Sequence, residues 1–174
     1  MGEFITRGYD ATSMEDLSRA AGITKSSFYH HFAGKDALLR AALERALDGL
    51  FAILDEPAAT TGSPLARLRY IVRGQVTVLQ HDLPYVTLLL RVRGNTESER
   101  WALERRRAFD AQIASLVLAA VEAGEIRAGV EPALAARLLS GLVNSIVEWY
   151  RPGRTELPDD VVRAVFDGIL PAAG

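Results

Sequence analysis

The 174-residue chain holds 20 Lys or Arg against 22 Asp or Glu, for a formal net charge of −2, and it is 49% hydrophobic, enough to bury a core as one domain or as a small module joined to a larger one. Cysteine is absent, which excludes a disulfide framework or a thiolate metal site and fits a reducing cytoplasm. No apolar run reaches the roughly 18 residues of a membrane helix, so no membrane partner is expected.

Apolar residues recur at intervals of three and four, and alternating β patterns are essentially absent, so the expected fold is all-α. The first capping signal lies in "ATSMEDLSRAAG". Thr12 stands three residues before Glu15 and Ser13 three before Asp16, while Gly22 closes the segment. A second short helix is expected from about Thr24 to Phe32. "AGKD" then opens a long helix from Lys35 to about Leu54, and "DEPAATTGSP" is the best break in the chain. The domain division is placed ahead of that break, at 1–47 and 48–174. Further helices are expected at 64–81, 84–93, 97–123, 132–150 and 158–170, bounded by "HDLP", "RGNTES", "AGEIRAGVEP" and "RPGRTELP".

Charge singles out the N-terminal portion. Residues 1–47 hold six basic and six acidic residues, yet none of the acids falls between Leu17 and Lys35, a stretch that contains Arg19, Lys25, His30, His31 and Lys35. Residues 14–32 have the spacing of a helix-turn-helix, whose second helix enters the DNA major groove. At about 100° per residue, Phe28 and Phe32 share one face, toward a core supplied by Leu17, Ala20 and Ile23. Ser26 and His30 lie opposite, with Ser27 beside them. Lys25 and Tyr29 flank the apolar stripe on one side and His31 on the other. Short hydroxyl side chains suit base edges; Lys, Tyr and His at the margins suit phosphates. Lys35, near the start of the long helix, is a second natural phosphate contact. A plain amphipathic helix pair with a glycine turn is the structural alternative.

The string "GYDATSMEDLSRAAGITKSSFYHHFAGKDALL" closely resembles the DNA-binding signature of TetR-type transcriptional repressors. The matching elements are Gly8-Tyr9, Thr12-Ser13, Ala20 to Ile23, Phe28 to Phe32 and Lys35 to Leu39. The resemblance implies about nine helices, with a small DNA-binding module followed by a larger helical domain that dimerises and binds a small-molecule inducer. It implies phosphate contacts from Ser13, Tyr29, His31 and Lys35, and base-facing positions at Thr24, Lys25, Ser26 and Ser27. His30 points outward on the wheel, but the family pattern does not assign it. The family's first helix has three or four turns; only "MGEFITR" precedes Gly8 here, so a shortened first helix is expected, with Phe4 and Ile5 as its last apolar residues.

In the C-terminal part, "EPALAARLLSGLVNSIVEWY" is apolar almost all round and calls for burial on more than one side. With 158–170 it is expected to form a four-helix homodimer interface, Gly141 and Ser145 allowing close approach. Ser140, Asn144 and Glu148 make a polar stripe along it, open either to a ligand or to an interhelical hydrogen bond. An apolar cavity among helices 64–81, 84–93, 97–123 and 132–150 is the default inducer site. Gln80, Tyr85, Trp101, Gln112, Asn144 and Glu148 are its polar and aromatic candidates, Gln75 is open to the same two readings as that stripe, and Arg91 and Arg105 are its candidates for gripping an anion. "VNSIVEWYRPG" with "LPDD" resembles the subgroup that includes acyl-CoA-responsive regulators, which implies an acyl-CoA or another apolar, anionic inducer.

No catalytic residue, metal or cofactor is expected. Outside the motif, His81 with Asp82 is the sole acid–base candidate, and there is no glycine-rich phosphate loop. The expected partners are therefore a double-stranded DNA operator, a small-molecule inducer and a second copy of the chain. The alternative is a helical interaction protein that has lost DNA binding along with part of its first helix.

Overall fold

The computed structural model describes residues 2–168. They form α1 (Gly2–Arg7), α2 (Met14–Ala21), α3 (Lys25–His31), α4 (Lys35–Asp55), α5 (Pro57–Thr60), α6 (Pro64–His81), α7 (Leu83–Arg91), α8 (Glu97–Glu122), α9 (Pro132–Trp149) and α10 (Leu157–Val162), which runs on into a π-helical turn at Arg163–Asp167. The fold is all-α, as expected from the periodicity. The "DEPAATTGSP" break holds the single turn α5, started by Pro57 at its first position. The last helix, expected at 158–170, ends by Asp167; residues 169 and 170 lie outside the described residues.

Local chemistry sets these boundaries. Ser13 and Asp16 form a reciprocal capping box: the Ser13 hydroxyl accepts from the Asp16 N–H at 3.1 Å, and the Asp16 carboxylate accepts from the Ser13 N–H at 3.0 Å. Gly22, at φ 68°, takes the left-handed conformation that ends α2. Thr24 caps α3 by accepting from the Ser27 N–H. Pro132 opens α9, and the Glu131 carboxylate accepts from the N–H groups of Ala133 and Leu134.

The residues fall into two compact units, Met1–Asp48 with Asp82–Arg106, and Gly49–His81 with Arg107–Gly174. In the first, Phe4, Leu17, Phe28, Leu39, Leu43 and Leu89 are buried. α7 and the start of α8 belong to it, fastened by polar links. The Ser98 hydroxyl donates to Asp36 Oδ2 at 2.6 Å. One oxygen of buried Glu99 accepts the N–H groups of Arg93, Gly94 and Asn95 at 2.8 to 3.1 Å. That carboxylate is thereby satisfied within the α7–α8 loop.

In the second unit, Ile53, Leu68, Ile71, Phe109, Ile113, Val117 and Ala136 form a core. Two glycines let α6 approach the end of α4. A Cβ on Gly49 would meet Val78 at 3.2 Å, and one on Gly74 would meet Ile53 at 2.7 Å. Each helix thus offers a hollow to a β-branched side chain of the other. At the α6 N-terminus, the Leu65 N–H donates to Glu125 at 2.8 Å. Arg73 pairs with Asp159 and Arg69 with Asp167, both at 2.6 Å, so that α10 and the π-turn are tied to α6.

α9 has two faces. Ala136, Ser140, Val143 and Ile146 are buried, whereas Leu134, Leu138, Leu142 and Trp149 are half or more exposed or nearly so, Leu138 reaching 64%. The helix expected to need burial on several sides is buried on one side by its own chain.

Candidate nucleic-acid interface and ligand-facing residues

The outward face of α3 presents Lys25, Ser26, Tyr29, His30 and His31 to solvent, with Ser27 half-buried; Tyr29 is 48% exposed. Phe28 anchors the helix from behind at 4% exposure, with its ring 5.5 Å from that of Phe32. The wheel reading of those two aromatics holds. The expected core partners need a correction, because Leu17 is buried but Ala20 is exposed and Ile23 is 41% exposed. The cause is local. The left-handed Gly22 swings the chain outward, and the Ile23 N–H is held by the Ser18 carbonyl at 3.1 Å, so the side chain sits on the outside of the turn.

Three of the nine predicted DNA-facing residues already have intramolecular work. The Ser13 hydroxyl is engaged with Asp16, at 2.6 Å as donor, and the Thr24 hydroxyl caps α3. Lys35 is half-buried: its ammonium donates to the Tyr9 carbonyl at 2.8 Å and stands 4.1 Å from the Tyr9 ring centroid. Lys35 therefore pins the α1–α2 loop, a role that its position in the sequence did not reveal. The side chains of the other six have no intramolecular partner among the described residues that would have to be broken for a contact to form.

The Asp16 carboxyl is held below the usual carboxylate range, first by the hydrogen bonds from Ser13 and then by the charges of Arg7 and Arg19. It is the acid nearest this surface along α2, and the capping box and the arginine at 3.5 Å answer its charge. Burial, with Asp36, Asp10 and Glu99 nearby, pushes the Tyr9 phenol up.

The eight ligand candidates divide between the units: Tyr85, Arg91, Trp101 and Arg105 in the first, and Gln80, Gln112, Asn144 and Glu148 in the second. Several are occupied. The Arg40 guanidinium covers the Trp101 ring at 3.3 Å, and that of Arg45 covers Tyr85 at 4.4 Å. The Gln80 amide donates to the Tyr150 hydroxyl and the Arg154 carbonyl. Arg91 donates to the Ile5 carbonyl at 2.5 Å. Gln112 and Glu148 are exposed and Asn144 is half-buried. Ser140 finds an interhelical partner, donating to Asp110 at 2.8 Å. Asp82, paired in the sequence reading with His81, accepts from Arg45 at 2.7 Å. No group of three or more His, Cys, Asp or Glu able to hold a metal occurs among the described residues. No described helix is long and apolar enough to cross a membrane.

Gln75, open in the sequence either to a ligand or to a packing role, lies in the interior. It is 5% exposed in α6, and its amide nitrogen has no hydrogen-bond partner among the described residues.

Comparison with known proteins follows the same lines. Residues 1–42 match the family described as bacterial regulatory proteins, tetR family, and residues 61–172 match the tetracyclin repressor-like C-terminal domain. A crystal structure of a TetR transcriptional regulator family member from Streptomyces coelicolor A3 is 58% identical, with a TM-score of 0.91 over 97% of this chain and 87% of that one. The HTH-type transcriptional repressor KstR2 of Rhodococcus jostii is 30% identical over 170 residues, which are 96% of this chain and 83% of the relative. The structure of the ketosteroid transcriptional regulator KstR2 of Mycobacterium tuberculosis is 25% identical, with a TM-score of 0.82 over 95% of this chain and 86% of that one.

Proposed function

The chain belongs to the TetR family of bacterial regulatory proteins, and from that premise we propose that it is a ligand-responsive repressor that grips a palindromic operator as a homodimer. The observation that carries this reading is the outward face of α3. It is free of acid from Leu17 through Lys35, exposed at Lys25, Ser26, Tyr29, His30 and His31, and backed by buried Phe28. DNA phosphates repel carboxylates and attract cations, so a surface that meets a duplex needs this distribution. On this reading Lys25, Ser26 and Ser27, with Thr24, face base edges, while Ser13, Tyr29, His31 and Lys35 face the backbone and His30 lies between.

The homodimer reading is supported by the outer face of α9. Leu134, Leu138, Leu142 and Trp149 make an apolar stripe left open by their own chain, with exposed Gly141 and Ser145 among them. Apolar stripes of this kind are ordinarily covered by a partner. Two small residues let a second α9 come close, and the Pro158–Asp167 region completes a four-helix interface. Such a dimer presents two copies of α3 to half-sites about 34–36 Å apart.

The inducer is an apolar, anionic molecule of the acyl-CoA kind taken up by the C-terminal domain, which comprises residues 48–174, residues 1–47 being the DNA-binding module. Its binding releases the operator. Binding to variants in duplexes of altered sequence tests the assignment. Substituting Ser26 or Ser27 changes which base pairs are preferred, whereas Tyr29→Ala or His31→Ala weakens all duplexes alike. If Ser26→Ala and Ser27→Ala weakened every duplex equally, α3 would not be the reading element.

A further inference from the structure

The N-terminal unit contains a cleft of about 690 Å³, set between α1 with the Gly8–Ala11 loop on one side and α7 with the α7–α8 loop on the other. That volume falls within the range of small-molecule sites. Its accessible apolar lining is half-buried Ile5 and Leu90, over buried Phe4, Leu39 and Leu88, and its polar lining includes Tyr9, Arg91 and Arg93.

The charges along it are not equally available. Arg7 is paired with Glu3 and Asp16 at 3.3 and 3.5 Å. Glu99 spends one oxygen on three backbone N–H groups. The Arg93 guanidinium is exposed and has no partner among the described residues. Arg91 gives one N–H to the Ile5 carbonyl at 2.5 Å, leaving the rest of its five-donor fork. Asp10 and Glu99 are the lining carboxylates, and because three backbone N–H groups already answer Glu99, the two available guanidiniums are opposed chiefly by Asp10.

We infer that this cleft is a second ligand site, separate from an inducer site in the second unit, so that Arg91 serves this cleft and not the inducer, and that it takes an amphipathic carboxylate. The carboxylate lies against Arg91 and Arg93, and the hydrocarbon chain lies against Ile5 and Leu90. A carboxylate is a stronger acceptor for a guanidinium than a neutral carbonyl, so the ligand competes with Ile5 for Arg91. That link joins α7 to α1, and α1 leads through Gly8–Ala11 to the Ser13 cap of α2. Occupancy therefore loosens the anchor of the DNA-facing helices without entering the second unit.

The test is calorimetric titration of the full chain with decanoate, with decanol as the uncharged control. Saturable binding of one decanoate per chain is expected. Arg93→Ala should weaken it by about tenfold or more, the size of a lost charged hydrogen bond. Ala11→Trp, a substitution at an exposed lining position, should block it by filling the cleft, whereas Asn144→Leu in the C-terminal domain should leave it intact. Binding untouched by both Arg93→Ala and Ala11→Trp, equal binding of decanol, or no binding at millimolar decanoate would each overturn the inference. Operator affinity measured without decanoate stands or falls independently, so failure of this site and failure of the regulator reading are told apart.

Discussion

Replacing Lys35 by alanine should have two separable effects, because the structure gives this side chain work inside the fold and the proposed function gives it work outside. Inside, it donates a charged hydrogen bond of 2.8 Å to the Tyr9 carbonyl and caps the Tyr9 ring at 4.1 Å. Hydrogen bonds to charged groups contribute about 1.5–3 kcal/mol, and an exposed cation–π contact about 0.5–1 kcal/mol. Because Lys35 is only half-buried, the low end applies, and Lys35→Ala should cost about 1–2 kcal/mol. For a chain of this length that lowers the melting temperature by roughly 3–6 °C, readable by thermal or urea denaturation followed by circular dichroism. Outside, each neutralised phosphate adds about 0.9 to the slope of log affinity against log salt. A homodimer carries two copies of Lys35, so the slope measured by fluorescence anisotropy should flatten by about 2 in the variant. An unchanged melting temperature would refute the clamp on the α1–α2 loop. An unchanged salt slope would remove Lys35 from the phosphate contacts, whatever its structural role.

Gly74→Ala should destabilise the protein despite the helix propensity gained, since its Cβ would stand 2.7 Å from Ile53 and overpacking costs about 1–3 kcal/mol; in an Ile53→Ala background the same change should become neutral or stabilising, and a double-mutant cycle by urea denaturation checks the sign. Leu138→Glu, on the open face of α9, should convert a dimer to monomers in light-scattering chromatography and weaken operator binding; a variant that stays dimeric would move the interface elsewhere. The carboxyls of Asp159 and Asp167 are held below the usual range, chiefly by the hydrogen bonds from Arg73 and Arg69. Their folded values are depressed, so this stabilisation is fully present above the ordinary carboxylate value of about 4 and is lost as pH falls through the lower folded values. Asp159→Asn with Asp167→Asn should flatten that acid limb in a pH series of denaturation curves.

Helix boundaries were legible because the residues that cause them are local. Ser13 with Asp16, Gly22, Pro64 and Pro132 each act within a turn of the backbone they terminate or start. The outward set on α3 was legible for the same reason, since a 3.6-residue period decides which side Phe28 occupies. What depends on distant segments was not. Arg45 meets Asp82 across 37 residues and Asp36 meets Ser98 across 62, and no charge pattern selects those partners. Ile23 looked like core because it is apolar, but the left-handed turn at Gly22 decides its direction. Residues 82–106 pack with the N-terminal unit although "DEPAATTGSP" lies between them and the motif, since a composition break marks a loop and not the side to which the chain returns.

If the acid-free face of α3 reads DNA, equilibrium binding should separate the duplex upstream of the chain's own gene from a scrambled duplex of equal length and composition. The expected preference for the upstream duplex is about 10³-fold or more, falling steeply as salt rises. Equal affinity for the two duplexes, or none for either at low salt, would contradict it.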